Sequence, residues 1–175
     1  SDQKILEDGV PMDTFRSWKH YLGDPGRSHY SVIDQIDISN VHQLKVAWNY
    51  RSGGLDSGKF SQIQTNPLIV DSVLYGVNPR LNLFALNAAT GEELWTFIPD
   101  NKDQTGLGVN RGLSYWESDQ GTGARIFITS GHYLFAVDLA TGKVVDFFGD
   151  RGKVDLRVGL GRDTATLAVV SNTPS

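Results

Sequence analysis

The chain has 175 residues, 39% hydrophobic and 21% charged, with 20 acidic against 16 basic side chains and a formal charge of −4. That suffices for one domain with a sizeable core, and the acidic balance argues against the basic face on which a general nucleic-acid binder depends. The absence of cysteine excludes disulfides, thiolate zinc sites and cysteine nucleophiles together. No apolar run approaches the roughly 20 residues of a membrane helix.

In chain order, residues 1–35 read as an N-terminal arm. Its opening Ser1-Asp2-Gln3-Lys4 does not read as a secretory leader, as is equally true of an exported protein after cleavage. Residues 36–62 form a first strand region and loop. One helical turn is predicted at Ser39–Leu44 with Ser39 as N-cap, leading into Lys45–Tyr50, which alternates like a strand. Gly53-Gly54-Leu55-Asp56-Ser57-Gly58 has the composition of a flexible loop.

Residues 63–116 make a first full unit and 117–175 a second one with the start of a third. Leu83-Phe84-Ala85-Leu86-Asn87-Ala88-Ala89-Thr90-Gly91-Glu92-Glu93-Leu94 aligns with Leu134–Val145 at an offset of 51, with six of twelve positions identical. Each copy alternates with period two and ends in an Asn/Asp acceptor followed by Thr-Gly. That is the chemistry of a hairpin turn with a glycine at positive φ. Leu94-Trp95 begins a return strand whose Trp is placed to pack over the neighbouring unit, and Trp48 stands 47 residues earlier. Units of 40–50 residues with about four short strands fit β-propeller blades, which close in rings of four to eight. The expected fold is therefore all-β: a partial propeller of about two and a half four-stranded antiparallel blades. Leu167–Val170 is strand-sized, and the last residues read as the start of a strand that stops mid-blade.

Several blocks are family-like. Trp18-Lys19-His20-Tyr21-Leu22-Gly23-Asp24, Leu44-Lys45-Val46-Ala47-Trp48, Asn66-Pro67-Leu68-Ile69-Val70, Asn110-Arg111-Gly112-Leu113-Ser114-Tyr115-Trp116 and Phe148-Gly149-Asp150-x-Gly152-Lys153-Val154-Asp155-Leu156-Arg157 occur in that order. Together they resemble the N-terminal portion of pyrroloquinoline quinone (PQQ)-dependent dehydrogenases. The resemblance implies an eight-bladed propeller with PQQ near its axis above a calcium ion. It also implies oxidation of a sugar, polyol or alcohol C–OH, with electrons passed to a quinone or cytochrome in the periplasm or cell envelope. The calcium ligands and catalytic aspartate of such enzymes are expected beyond Ser175, so the piece is expected to be inactive alone, with the rest of the propeller as its partner. The alcohol-oxidising members carry adjacent cysteines at what would be Thr105-Gly106. Their absence here points towards the glucose and quinate branch.

Three residues match cofactor contacts of that family. Arg111 offers a permanently charged, forked donor suited to the three carboxylates or the ortho-quinone of PQQ; the plain alternative is a surface arginine after a glycine-rich loop. Gln64 falls where methanol-oxidising relatives have a glutamate, and it keeps hydrogen-bonding ability without the charge. Thr173 matches a threonine that hydrogen-bonds the cofactor.

Other motifs lead nowhere. Gly106-x-Gly108-x-x-x-Gly112 has the wrong spacing for a dinucleotide fingerprint and precedes a strand-like segment. His20, His29, His42 and His132 lack ligand spacing. Asp150 and Asp155 bracket a Gly-Lys turn, where an aspartate usually serves its own backbone. The competing functional class is a non-enzymatic PQQ-like propeller that presents strand edges to protein partners in the cell envelope.

Overall fold

The duplicated Thr-Gly turn is where local chemistry dictates structure most directly. In a computed structural model describing residues 17–54, 61–100, 108–121 and 123–174, Asn87 Oδ1 accepts the main-chain N–H groups of Ala89 (2.9 Å) and Thr90 (3.1 Å). Asp138 Oδ1 likewise accepts the N–H (2.9 Å) and hydroxyl (2.7 Å) of Thr141. Gly91 and Gly142 close the two turns at φ +74° and +68°, a region that other residues enter only with strain.

Around these turns lie two four-stranded antiparallel sheets. The first contains β1 (Leu68–Val70), β2 (Val73–Val77), β3 (Leu83–Asn87) and β4 (Glu93–Phe97). The second contains β5 (Ser114–Glu117), β6 (Ala124–Ser130), β7 (Tyr133–Asp138) and β8 (Lys153–Asp155), and strands follow chain order in both. β5 belongs to the second sheet, so the sheets part ahead of the sequence division at residue 116.

The sheets pack face to face. Leu68, Val70, Tyr75, Val77, Leu83 and Ala85 of the first form one buried cluster with Ile126, Ile128, Phe135 and Val137 of the second. β3 is buried on both faces rather than one, because Phe84 on its far side packs on Tyr50, ring centroids 5.0 Å apart. The Trp95 indole lies over Gly142, where an added Cβ would come within 2.6 Å of the ring, and Trp48 covers Gly91 at the same distance. Trp48 Nε1 also donates to the Ala88 carbonyl at 3.1 Å. Each tryptophan thus seats on the turn of the next unit, as its position in the repeat predicts.

Three expectations are corrected. The helical turn is a 3₁₀ turn over Val41–Gln43 with Asn40, not Ser39, at its N-cap. Asp37 captures Ser39 instead, accepting its N–H (2.7 Å) and hydroxyl (2.5 Å). Lys45–Tyr50 and Leu167–Val170 join no ladder among the described residues, since a strand persists by pairing its N–H and C=O groups with a neighbour. Third, the repeat breaks after Val144. Leu86 pairs with Glu93 and Phe84 with Thr96; in the second sheet Val137 bridges Val144, but Phe135 pairs with Lys153. The offset grows from 51 to 57, so six extra residues loop out before β8 begins. Gly149 makes this possible: its φ is +57° and an added Cβ would stand 2.3 Å from the Lys153 carbonyl oxygen.

Past the loop, Asp155 does more than serve its own backbone. Arg157 donates Nε (2.9 Å) and Nη2 (2.8 Å) to the two Asp155 carboxylate oxygens and its N–H (3.0 Å) to Oδ1. These bonds, the guanidinium's foremost, hold the Asp155 carboxyl down at about 2 from an ordinary 3.8. The ionised carboxylate therefore contributes stability fully above pH 3.8, and that contribution fades as pH falls through about 2. Urea midpoints measured across this window should fall less steeply in Asp155→Asn than in the parent. Equal slopes would show that the pair adds nothing.

Candidate functional site

Three extended segments run side by side, two of them leading into β1 and β5. Thr65 Oγ1 donates to the Asn110 carbonyl at 2.8 Å. The Arg111 carbonyl accepts both the main-chain N–H (2.9 Å) and the side-chain amide (3.2 Å) of Asn66. Asn66 and Gly112 form a parallel bridge. On the opposite side, Arg111 donates its own N–H to the Asn172 carbonyl at 2.8 Å. Gln64, Arg111 and Thr173 each lie within two residues of these bonds, and all three are exposed. The fold thus aligns residues 62 positions apart in sequence on neighbouring segments.

Sequence sets the electrostatics of this wall. Residues 61–67, 108–114 and 171–174 contain no aspartate or glutamate, one arginine and many amides and hydroxyls. Its three candidate residues contribute a guanidinium, a carboxamide and a hydroxyl, and the main chain of residue 111 is already engaged by its neighbours. Such a set suits an anionic, carbonyl-bearing group.

Asn110 shapes the middle segment from below. It is 5% exposed, and its Oδ1 accepts the Gly112 N–H at 2.9 Å, turning the chain sharply about Arg111. Beside it opens a pocket of about 230 Å³ whose lining includes Asn110, Ser114, Thr129, Ser171 and Thr173. Thr129 Oγ1 donates to the Ser171 carbonyl at 2.5 Å, tying the C-terminal segment to β6. A second recess, about 290 Å³, lies among Phe97, Phe135 and Lys153 and includes none of the predicted site residues.

Sequence reasoning missed Thr65 and Asn66 as clamps, because their partners are 45 residues away. Asn110 stands in the Asn-Arg-Gly motif, but its role in bending the main chain needed the fold to be seen. The glycine pattern around Gly106 lies partly outside the described residues, as do Gly58 and the Thr105-Gly106 position. Gly112 leads into strand β5 rather than a helix, which removes the dinucleotide reading. Among the described residues no group of three or more His, Cys, Asp or Glu side chains is gathered to hold a metal ion. Among the same residues no helix is long and apolar enough to cross a membrane.

Four-stranded blades stacked face to face, each tryptophan seated on the turn of the next, define a segment of a β-propeller with a donor-rich wall beside the start of β1 and β5. Residues 18–175 match the family model described as PQQ, glucose/ethanol/alcohol dehydrogenase, beta-propeller domain, and the chain belongs to that family. It is 32% identical over 89% of its length to the quinate/shikimate dehydrogenase (quinone) of Acinetobacter baylyi, covering 22% of that protein. With the dehydrogenase subunit of the alcohol dehydrogenase (quinone) of Gluconobacter oxydans it shares 36% identity over 73% of the chain and 16% of the relative. The crystal structure of the quinohemoprotein alcohol dehydrogenase from Comamonas testosteroni superposes with a TM-score of 0.66 at 26% identity, over 83% of this chain and 20% of that one. The chain spans about a fifth of the length of these relatives.

Proposed function

We propose that this chain is the N-terminal part of a PQQ-dependent dehydrogenase that oxidises a sugar or polyol C–OH and passes the electrons to a quinone or cytochrome in the periplasm or cell envelope. Its units are an arm (1–35), a first strand region (36–62), a first blade unit (63–116) and a second with the start of a third (117–175). The observation that carries this reading is the acid-free wall on which Gln64, Arg111 and Thr173 lie on three adjoining segments. PQQ, when bound, supplies the two-electron acceptor for the substrate C–H.

The chain's own residues bind and orient. The Arg111 guanidinium holds a carboxylate or quinone oxygen by charge-assisted donation, and Gln64 and Thr173 add neutral hydrogen bonds that fix the ring's rotation. Nothing in these three segments removes a proton from substrate. That base and the calcium ligands are assigned to sequence outside this chain, and so the isolated piece is inactive.

The test is titration of PQQ, with calcium present, into the complete polypeptide that contains this chain, monitored by quenching of protein fluorescence. Saturable one-to-one binding is expected. No binding at millimolar cofactor would overturn the reading in favour of an interaction scaffold.

A further inference from the structure

One aromatic side chain of the N-terminal arm reaches the candidate site. A Cβ added to Gly112 would stand 2.5 Å from Tyr21 Cδ2 and 3.1 Å from Pro174 Cγ. The Tyr21 and Pro174 rings therefore converge on the main chain one residue past Arg111, and Pro174 itself is one residue past Thr173.

The ring's own position is fixed from elsewhere. Trp18 exchanges two main-chain hydrogen bonds with Ile69 of β1, at 3.2 and 3.0 Å. Lys19 Nζ lies 3.6 Å from Glu117 Oε2 and 5.5 Å from the Tyr115 ring centroid, both on β5. Arg27 stacks over Tyr21 at 5.8 Å. The arm is thus tied to the first strand of each sheet, and Tyr21 carries that frame to Gly112. Gly112 is held through its main chain by the Asn110 side chain and the bridge to Asn66; having no side chain of its own, it is restrained further by the ring packed against it.

We propose that Tyr21 is a positioning residue for the cofactor site: by covering Gly112 it holds Arg111 in the place from which the guanidinium reaches PQQ. This rests on the cofactor reading of Arg111 under Proposed function. The contact is apolar and is made by the ring carbons Cδ2 and Cε2, so a phenylalanine should serve as well as the tyrosine.

The experiment is a double-mutant cycle in the complete polypeptide, reading PQQ affinity by fluorescence quenching with calcium present and the melting temperature of each apoprotein. Tyr21→Ala should weaken PQQ binding about tenfold, Tyr21→Phe should stay within about twofold of the parent, and Tyr21→Ala should cost nothing further in an Arg111→Ala background. If Tyr21→Ala does not fold, Tyr21→Leu takes its place, keeping apolar bulk without a planar face. Parent-like affinity in Tyr21→Ala, beside a large loss in Arg111→Ala, overturns the positioning role and leaves the site standing. Equal losses in both backgrounds also overturn it, since Tyr21 would then not act through Arg111. Parent-like affinity in Arg111→Ala alone overturns the cofactor reading and the positioning role together.

Discussion

Gly142→Ala is expected to destabilise the protein by roughly 3 kcal/mol, far more than a surface substitution ordinarily does. Two costs coincide at this position. A left-handed backbone imposes roughly 1–2 kcal/mol on a residue bearing a Cβ, and Gly142 stands at φ +68°. Overpacking adds about 1–3 kcal/mol when a methyl is forced into a filled space, and here it would lie 2.6 Å from the Trp95 ring. Gly121 separates the two: its φ is +63°, yet an added Cβ meets nothing within 4 Å. Gly121→Ala should therefore show the backbone cost alone, and the difference between the variants in urea unfolding is the cost of lifting Trp95 off its seat. Replacing Trp95 by leucine should shrink that difference. Were Gly142→Ala no worse than Gly121→Ala, the Trp95 seat would add nothing to the joint between the blades.

The turns could be read from sequence because everything that makes them lies within five residues. Asn87 or Asp138 supplies the acceptor, and Gly91 or Gly142 supplies the backbone freedom. Trp95 was placed by the same logic, one return strand later. The N-cap was misassigned because Asp37, Ser39 and Asn40 compete for the same few N–H groups, and the carboxylate, the strongest acceptor of the three, takes Ser39. The loop before β8 escaped a fixed-offset comparison, though the second copy has Asp146 where the first has Trp95 and then carries Gly149 and Gly152 in quick succession. These three residues mark a return strand that cannot come directly after the turn. At the site, Arg111, Gln64 and Thr173 come from the family resemblance, with side-chain chemistry that suits it. What aligns their segments is main-chain pairing between Asn66, Arg111 and Asn172, and main-chain groups look alike in every sequence.

That same pairing separates structure from binding at position 111 and sets the second large effect. Arg111→Ala should lower the PQQ affinity of the complete polypeptide about 100-fold, since a hydrogen bond involving a charged group is worth about 1.5–3 kcal/mol. Arg111→Lys keeps the charge but loses the planar fork, so about a tenfold loss is expected. Gln64→Ala, giving up one neutral hydrogen bond worth about 1 kcal/mol, should lose about fivefold. The melting temperature of the apoprotein should stay where it is in both Arg111 variants. The fold holds residue 111 by its N–H, bonded to Asn172, and by its carbonyl, bonded to Asn66, and every amino acid except proline offers the same two groups. A fall of several degrees in Arg111→Ala with unchanged cofactor affinity would mean that the guanidinium braces the wall rather than serving what binds to it.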